Sequence, residues 1–531
     1  MNLLSIITVV KEFDSKLIQT LLSVKNQTHQ NYNYYIIQKF DVEKTKKLLK
    51  ELGLKNVKLI KSSDNSFYNG LNWFLKKEII KTEYFFLLHS GDLLYNKNVL
   101  KKLNLEIKKN KFNIYSTKIY YYYLNKYKHE WFYNKAINKS YQIPHTGVIY
   151  KTSFAKNLLY DDTYKISADT KYLLELKYKK KESINFLNID LIFMEKYGMS
   201  SNIRFFHKKV FEDLKIFYEF YKIFFIIYYL KKIFHKFLIY FIFYLFRSDN
   251  KKHYFNFNKN LFLFNEYLNQ KPKKISVIVP IGKFDKNINL TVNSILKQTY
   301  KLIEIIIIDN YEIKRQKIYA LTKLSKKIKY FYYNKKGVSY ARNYALKKLD
   351  TNSTHVAFCD CDDIWSNDKL KLQIKQMTKK NSPISYTDYM TYKKDENEKT
   401  FDHKRRLVYQ IKSEKFIYNN PICTSSVVAS KKIFDLINFK NYILRSDYNL
   451  WIKLYYVGIK FLKIKTNNKK PLVFYLKHKS SISSNKLYNL IFNYKVLKNY
   501  FSHFRSLYYL FIYVIFHCIS DLIFKKWKYY E

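Results

Sequence analysis

The chain has 531 residues, room for two or three domains of ordinary size, and its 47% hydrophobic content allows real cores and argues against disorder. Basic side chains outnumber acidic ones 97 to 42, a formal net charge of +55, yet only eight of them are Arg, at 204, 247, 315, 342, 405, 406, 445 and 505. Bidentate recognition of phosphates and bases relies on Arg, so the balance speaks against nucleic acid as partner and suits diffuse Lys attraction to an anionic membrane surface.

In chain order, a short apolar strand is predicted at 4–10, a helical stretch ending in Gln27-Thr28, a second strand at 34–37, a further helix, and an apolar strand at 84–88 that runs into His89-Ser90-Gly91-Asp92. Residues 205–247 follow as a helical, aromatic and basic stretch. The same order then returns 271 positions later: strands at 275–281, 304–308 and 355–359, with Gln298-Thr299 between the first two. Without a gap, Gly70-Leu71-Asn72 overlays Ala341-Arg342-Asn343, and Asp92 overlays Asp363. A period this long means duplicated domains rather than a solenoid. Strands alternating with helices predict a parallel α/β sheet, whose ligands sit beyond the carboxyl ends of the strands. A second helical, aromatic tail occupies 486–528.

Neither tail contains the roughly 18–20 consecutive apolar residues that a spanning helix needs. Helices lying in a membrane interface are the preferred reading, with packing on the globular domains as the alternative. The four cysteines (359, 361, 423, 518) form no paired framework. With the opening strand taken as evidence against a signal peptide, a reducing cytoplasm is expected, peripheral to the inner face of the membrane.

The chemistry concentrates in the second copy. Asp360, Asp362 and Asp363 place three carboxylates within four residues at a strand end. Carboxylates this close repel one another and resist burial, so they call for a cation; hard oxygen ligands suit Mg²⁺ or Mn²⁺. A solvated acidic turn is the alternative reading. Asp309 ends another strand, where a carboxylate reaches a base or ribose. Gly337 precedes a helix carrying Arg342, which can face a diphosphate or form a surface ion pair. Asp447 heads an apolar helical run, as a helix-capping residue or a general base.

Taken together these segments resemble the family 2 glycosyltransferases with the GT-A fold. The resemblance runs over 271–485 through Ser276-Val277-Ile278-Val279-Pro280, Gln298-Thr299, Asp309, Gly337-x-Ser339-x-Ala341-Arg342-Asn343, Asp360-x-Asp362-Asp363, the Asp447 segment ending in Leu450-Trp451, and Tyr475…His478…Ser481-x-Ser483. It implies Asp309, Asp360 and Asp363 at the sugar nucleotide, Asp362 on the metal, His478 near the diphosphate and Asp447 as base of an inverting transfer. Ser446 departs from the Glu often found there.

Residues 1–204 resemble the same family with other survivors. Gln38 stands for Asp309 and His89 begins the acidic position. Asp92 is the carboxylate left for a metal, Asp64 resembles the acid before the Gly/Ala-x-Asn helix, His145-Thr146-Gly147 matches a loop near the acceptor, and Asp169 stands at the base position. The expected layout is two GT-A domains (1–204 and 271–485), a helical linker at 205–270 and a helical tail at 486–531. The expected activity is transfer of a sugar from a nucleotide-diphospho-sugar, UDP by family habit, to a glycan or lipid-linked acceptor of a bacterial surface polysaccharide. Both copies act in one version; in the other the first is a glycan-binding scaffold. A nucleotidyltransferase is the enzymatic rival, although 281–283 is a thin phosphate loop.

Overall fold

The computed structural model describes residues 3–515 apart from 11–12, 55, 63–66, 78, 124–125, 133–144, 196–205, 235–250, 283–286, 311–315, 395–399, 407–419, 421, 443, 467–470, 477–485, 502 and 504–505. The chain divides into two compact units, Met1–Phe264 and Asn265–Glu531.

In the first unit the strands are β1 (Leu4–Val10), β2 (Tyr32–Gln38), β3 (Val57–Lys61), β4 (Tyr84–Leu87), β5 (Leu93–Leu94), β6 (Ile114–Tyr123), β7 (Lys126–Phe132), β8 (Val148–Lys151) and β9 (Asn185–Glu195). They form one sheet in the order β3-β2-β1-β4-β8-β6-β9-β5, with β7 on β6. The first four in that order run parallel, and β8 is antiparallel to both of its neighbours.

In the second unit β10 (Lys274–Ile281), β11 (Ile303–Asp309), β12 (Ile328–Tyr332), β13 (Ser353–Phe358), β15 (Ile384–Tyr386), β18 (Val428–Ser430) and β19 (Phe461–Lys463) repeat that order as β12-β11-β10-β13-β18-β15-β19. A four-stranded sheet, β14-β20-β16-β17, is built from β14 (Ile364–Trp365), β16 (Tyr389–Lys394), β17 (Thr400–Arg406) and β20 (Val473–Leu476). The long β9 does the work that β19 and β20 divide, pairing with β6 along its length and with β5 at its end.

Composition explains the central strands. β11 reads Ile-Glu-Ile-Ile-Ile-Ile-Asp and all seven residues are buried, the near-continuous apolar run of a parallel strand covered on both faces. Its one interior charge, Glu304, accepts hydrogen bonds from Ser276 (2.5 Å) and Lys329 (2.8 Å). Val277, Val292, Ile305, Trp365 and Leu370 belong to the second core, and Ile7, Tyr35, Leu71 and Phe74 to the first. The helix Ser15–Lys25 starts where the Asp14 carboxylate accepts from the Leu17 amide at 2.8 Å, satisfying a free end donor.

The two tails do more than lie at a surface. The helix Phe206–Tyr221 buries Ile216 and Phe217 in the first unit, and its Glu212 accepts from the amides of Lys165, Ile166 and Ser167 at 2.9–3.0 Å. That caps the helix Ala168–Tyr178, which carries Asp169. In the second unit Tyr500 donates to the Asn449 carbonyl at 2.9 Å and Arg445 donates to Tyr513 at 3.4 Å, so this tail braces the helix Ser446–Tyr456, which carries Asp447. Packing thus claims one face of each tail. The other face leaves Phe211 71%, Ile223 82% and Phe234 63% exposed in the first, and Tyr508 59% and Phe511 63% in the second. Among the described residues no helix is long and apolar enough to cross a membrane.

Candidate active site

Parallel order brings the ends of β11 and β13 to one edge of the second unit, and Asp309 and the 360–363 turn come with them. Asp309 is fully buried and accepts from the Tyr330 hydroxyl at 3.2 Å. The turn is held from within by the Asp363 amide donating to the Asp360 carbonyl at 3.1 Å.

Its three carboxylates have different surroundings. Asp363 is fully buried and accepts from the Leu476 amide at 3.2 Å and from the Ser425 hydroxyl. Burial, then repulsion from Asp362 and Asp360, pushes its carboxyl well above the usual carboxylate range. Asp360 accepts from Arg342 Nη2 at 2.7 Å. Burial raises its carboxyl too, Arg342 opposes that, and Asp362 adds to it. Asp362 is half-buried. Asp363 is thus tied into the turn, while Asp360 and Asp362 stay partly open to solvent.

Arg342 lies on the helix Val338–Leu346, entered through Gly337 at φ 122, a conformation that favours glycine. The guanidinium is 3% exposed, holds Asp360 and packs against Phe439 at 5.4 Å. It positions the turn rather than presenting an open face to a diphosphate.

Asp447 sits in the first turn of its helix, half-buried, with Oδ2 accepting from Thr424 Oγ1 at 3.1 Å and Asn420 Nδ2 at 3.3 Å. The next residue, Ser425, donates to Asp363 through the same hydroxyl that accepts from the Asp360 amide at 3.0 Å. The 3₁₀ turn Thr424–Ser426 is thus the joint between the acidic turn and the base candidate. Sequence reasoning passed over Thr424 and Ser425 in this copy. Their signal lay in the other: His145–Gly147 is the 3₁₀ turn leading into β8 as 424–426 leads toward β18. Matched strand pairs, Phe86 with Ile149 and Ala357 with Val428, set His145 opposite Thr424.

The first unit keeps the frame and changes the chemistry. Thr20 and Thr291 both donate to carbonyls of the strand-end turn, at 2.9 Å in each case, and Ser23 and Ser294 accept from Leu94 and Trp365. Asn72 grips Tyr160 as Asn343 grips Phe439. In that register Arg342 and Asp360 are replaced together by Leu71 and His89. Gly91 stands at the place of Asp362, and Asp92 at the place of Asp363. Asp92 is 3% exposed and accepts from the amides of His89 and Glu195, at 3.3 and 3.4 Å. Burial pushes its carboxyl up to about 8. Asp92 therefore matches the buried Asp363, not the half-buried Asp362 expected to meet a metal.

His89 and His145 stack with ring centroids 6.3 Å apart. Burial lowers them to about 3 and about 4, His145 contributing to the shift of His89, so both rings are neutral near pH 7. Burial raises Asp169, opposed by Lys209 and Lys232. Gln38 is fully buried; its amide N–H donates to the Phe40 carbonyl, and its Oε1 has no hydrogen-bond partner among the described residues. Asp64 and His478 lie outside the described residues.

Among the described residues no group of three or more His, Cys, Asp and Glu is gathered to hold a metal ion unaided. Mg²⁺ is commonly held by one or two carboxylates and completed by substrate phosphates, and the Asp360–Asp362 pair fits that donor chemistry. The three free cysteines described, 359, 361 and 423, are buried or half-buried.

The sequence profile of glycosyl transferase family 2 matches residues 5–214 and 276–435. Escherichia coli WfgD, a UDP-Glc:alpha-D-GlcNAc-diphosphoundecaprenol beta-1,3-glucosyltransferase, is 28% identical over 249 residues, 45% of this chain and 92% of its own. Escherichia coli WfaP, of the same description, is 32% identical over 235 residues, 42% and 86% of the two chains. The putative teichuronic acid biosynthesis glycosyltransferase TuaG of Bacillus subtilis is 30% identical over 191 residues, 35% and 73%. Among solved structures, S. aureus TarS 1–349 in complex with UDP-GlcNAc aligns over 45% of this chain and 70% of its own, with 17% identity and a TM-score of 0.34.

Proposed function

The chain belongs to glycosyl transferase family 2, and on that premise we propose that its second unit moves a sugar from a UDP-sugar to a hydroxyl of a lipid-linked glycan, with inversion. The observation that carries this is the Thr424–Ser425 joint, which fixes a candidate base and a carboxylate turn in one rigid piece. The half-buried Asp447 takes the acceptor proton through the oxygen that Thr424 and Asn420 orient. The freed hydroxyl oxygen bonds to the anomeric carbon as the bond from that carbon to the diphosphate oxygen breaks. Asp360, fixed by Arg342, and Asp362 would hold the Mn²⁺ or Mg²⁺, which would supply charge neutralisation for the departing diphosphate. Asp309 stands where the base or ribose enters.

UDP and a diphospholipid acceptor are supported by what the WfgD and WfaP relatives are named for. A seat on the inner face of the cytoplasmic membrane is supported by the exposed aromatic faces of the two tails and the +55 charge. Action by both units is the second reading, favoured by Asp169 heading its helix as Asp447 does.

The test is release of UDP from a panel of UDP-sugars with Mn²⁺ and a diphosphoundecaprenol-linked acceptor. Asp447→Asn is expected to lower kcat by about 10²–10⁴, and Asp362→Ala to abolish the metal requirement together with turnover. Undiminished, acceptor-dependent turnover in an Asp447→Asn, Asp169→Asn double variant overturns the assignment.

A further inference from the structure

We propose that the first unit binds a nucleoside diphosphate without a divalent cation, the Lys16 ammonium standing where the second unit relies on a metal-holding Asp362. The proposal rests on the family reading above and adds a second ligand site of different chemistry. Its basis is a paired exchange between the two copies. In the shared register Lys16 overlays Asn287 and Gly91 overlays Asp362. At these two positions one copy therefore has an amide and an acid, and the other a cation and no side chain. The register there is anchored by the matched bonds of Ser23 with the Leu94 amide and Ser294 with the Trp365 amide.

Lys16 and Glu195 together fill the vacated space. A Cβ built on Gly91 would lie 3.2 Å from Glu195 Oε2, 3.5 Å from Lys16 Cδ and 3.7 Å from Lys16 Cβ. The aliphatic stem thus crosses where an aspartate side chain would begin. Its ammonium reaches Glu195 Oε2 at 2.5 Å, and both side chains keep contact with solvent, 39% and 27% exposed. The nearby Asp14 carboxylate is engaged with the Leu17 amide and the Ser90 hydroxyl, through the same oxygen, at 2.8 and 2.9 Å. A divalent cation at this turn would meet Gly91 and His89 in place of two carboxylates, and the Glu195 carboxylate beside them is already paired with Lys16. An ammonium needs no carboxylate holders and offers three donors to phosphate oxygens. The incoming diphosphate would replace Glu195 as the partner of Lys16.

An independent observation lies at the end of β2. Gln38 Oε1 is buried with no hydrogen-bond partner among the described residues, at the position of Asp309. A buried orphan acceptor is costly, and a base N–H would relieve it. The cation for the phosphates and the acceptor for the base thus survive in a copy whose acidic turn has gone.

The experiment is calorimetric titration of UDP into the full chain, first in EDTA and then with Mn²⁺. Expected is a site that persists in EDTA, is weakened about tenfold or more by Lys16→Met, is tightened by Glu195→Gln, and is unchanged by Asp362→Ala. The last variant should remove only the additional Mn²⁺-dependent binding. Opposite responses to Lys16→Met and Glu195→Gln distinguish a ligand site from a merely structural ion pair, which would respond alike to both; melting curves on each variant confirm folding. No uptake in EDTA, equal effects of the two substitutions, or loss of the EDTA-resistant site in Asp362→Ala overturns the proposal. None of those results touches Mn²⁺-dependent turnover by the second unit, so the two readings fail separately.

Discussion

Replacing Ser425 by Ala removes one hydroxyl and two hydrogen bonds, one to the Asp363 carboxyl and one from the Asp360 amide. Asp363 is fully buried, so water cannot take over the lost donor. A hydrogen bond contributes about 0.5–1.5 kcal/mol, rising to about 1.5–3 kcal/mol where the acceptor is charged, and an orphaned buried amide costs about 1–3 kcal/mol. The two losses share an atom and overlap, which sets the expected destabilisation at about 2–4 kcal/mol. For a unit of this size that lowers the melting temperature by roughly 5–15 °C. Asp363, already pushed up by burial, would be pushed further. The Asp360–Asp362 turn would loosen, and several-fold more Mn²⁺ would be needed for half-maximal UDP release. Scanning calorimetry reads the first effect and a metal titration of activity the second. A Ser425→Ala protein that melts with wild type and keeps its Mn²⁺ requirement refutes the idea that this joint sets the site.

Three other outcomes are expected. Lys369 is fully buried with its ammonium 3.8 Å above the Trp365 ring, and burial lowers it to about 7. Between about pH 7 and 10 the unfolded chain then binds more protons than the folded one, so this group makes stability rise with pH in that window and adds a constant penalty below it. Lys369→Met should flatten the rise and stabilise the protein by a few kcal/mol at pH 7, as denaturant melts at pH 7 and 9.5 would show. Gly91→Asp should not create a metal site but destabilise the first unit by about 1–3 kcal/mol, because φ is 99 and the new Cβ would sit 3.2 Å from Glu195 Oε2; chemical denaturation measures it. Paired changes Ile223→Asp and Phe224→Asp on the exposed tail face should reduce flotation with anionic vesicles while leaving UDP release from the UDP-sugar in the presence of a soluble acceptor unchanged.

Much of the architecture was readable because burial on both faces writes parallel strands as apolar runs. The strand expected at 304–308 is β11, Ile303–Asp309, and that at 4–10 is β1 itself. Asp447 falls in the first turn of a helix, as the apolar run behind it implied. What stayed hidden depends on contacts between distant segments. Glu212 caps a helix more than forty residues away, and nothing local in Phe206–Tyr221 announces it. Thr424 and Ser425 are short polar residues in a 3₁₀ turn, too brief to show a period. The tails read as one undivided aromatic surface, because sequence cannot tell which aromatic residues pack inward. Arg342 and Asp92 were legible as conspicuous charges, but their burial turns them inward: one holds Asp360, the other closes a turn.

Gly91 also bears on how the two copies differ. Asp362 is not among the residues with positive φ, whereas Gly91 lies where only glycine rests easily, so the two turns no longer share a backbone. A change to aspartate here would supply the letter and not the shape, and it would set a negative charge against Glu195. The two halves of the chain thus differ at this turn in the path of the backbone as well as in the side chains it carries.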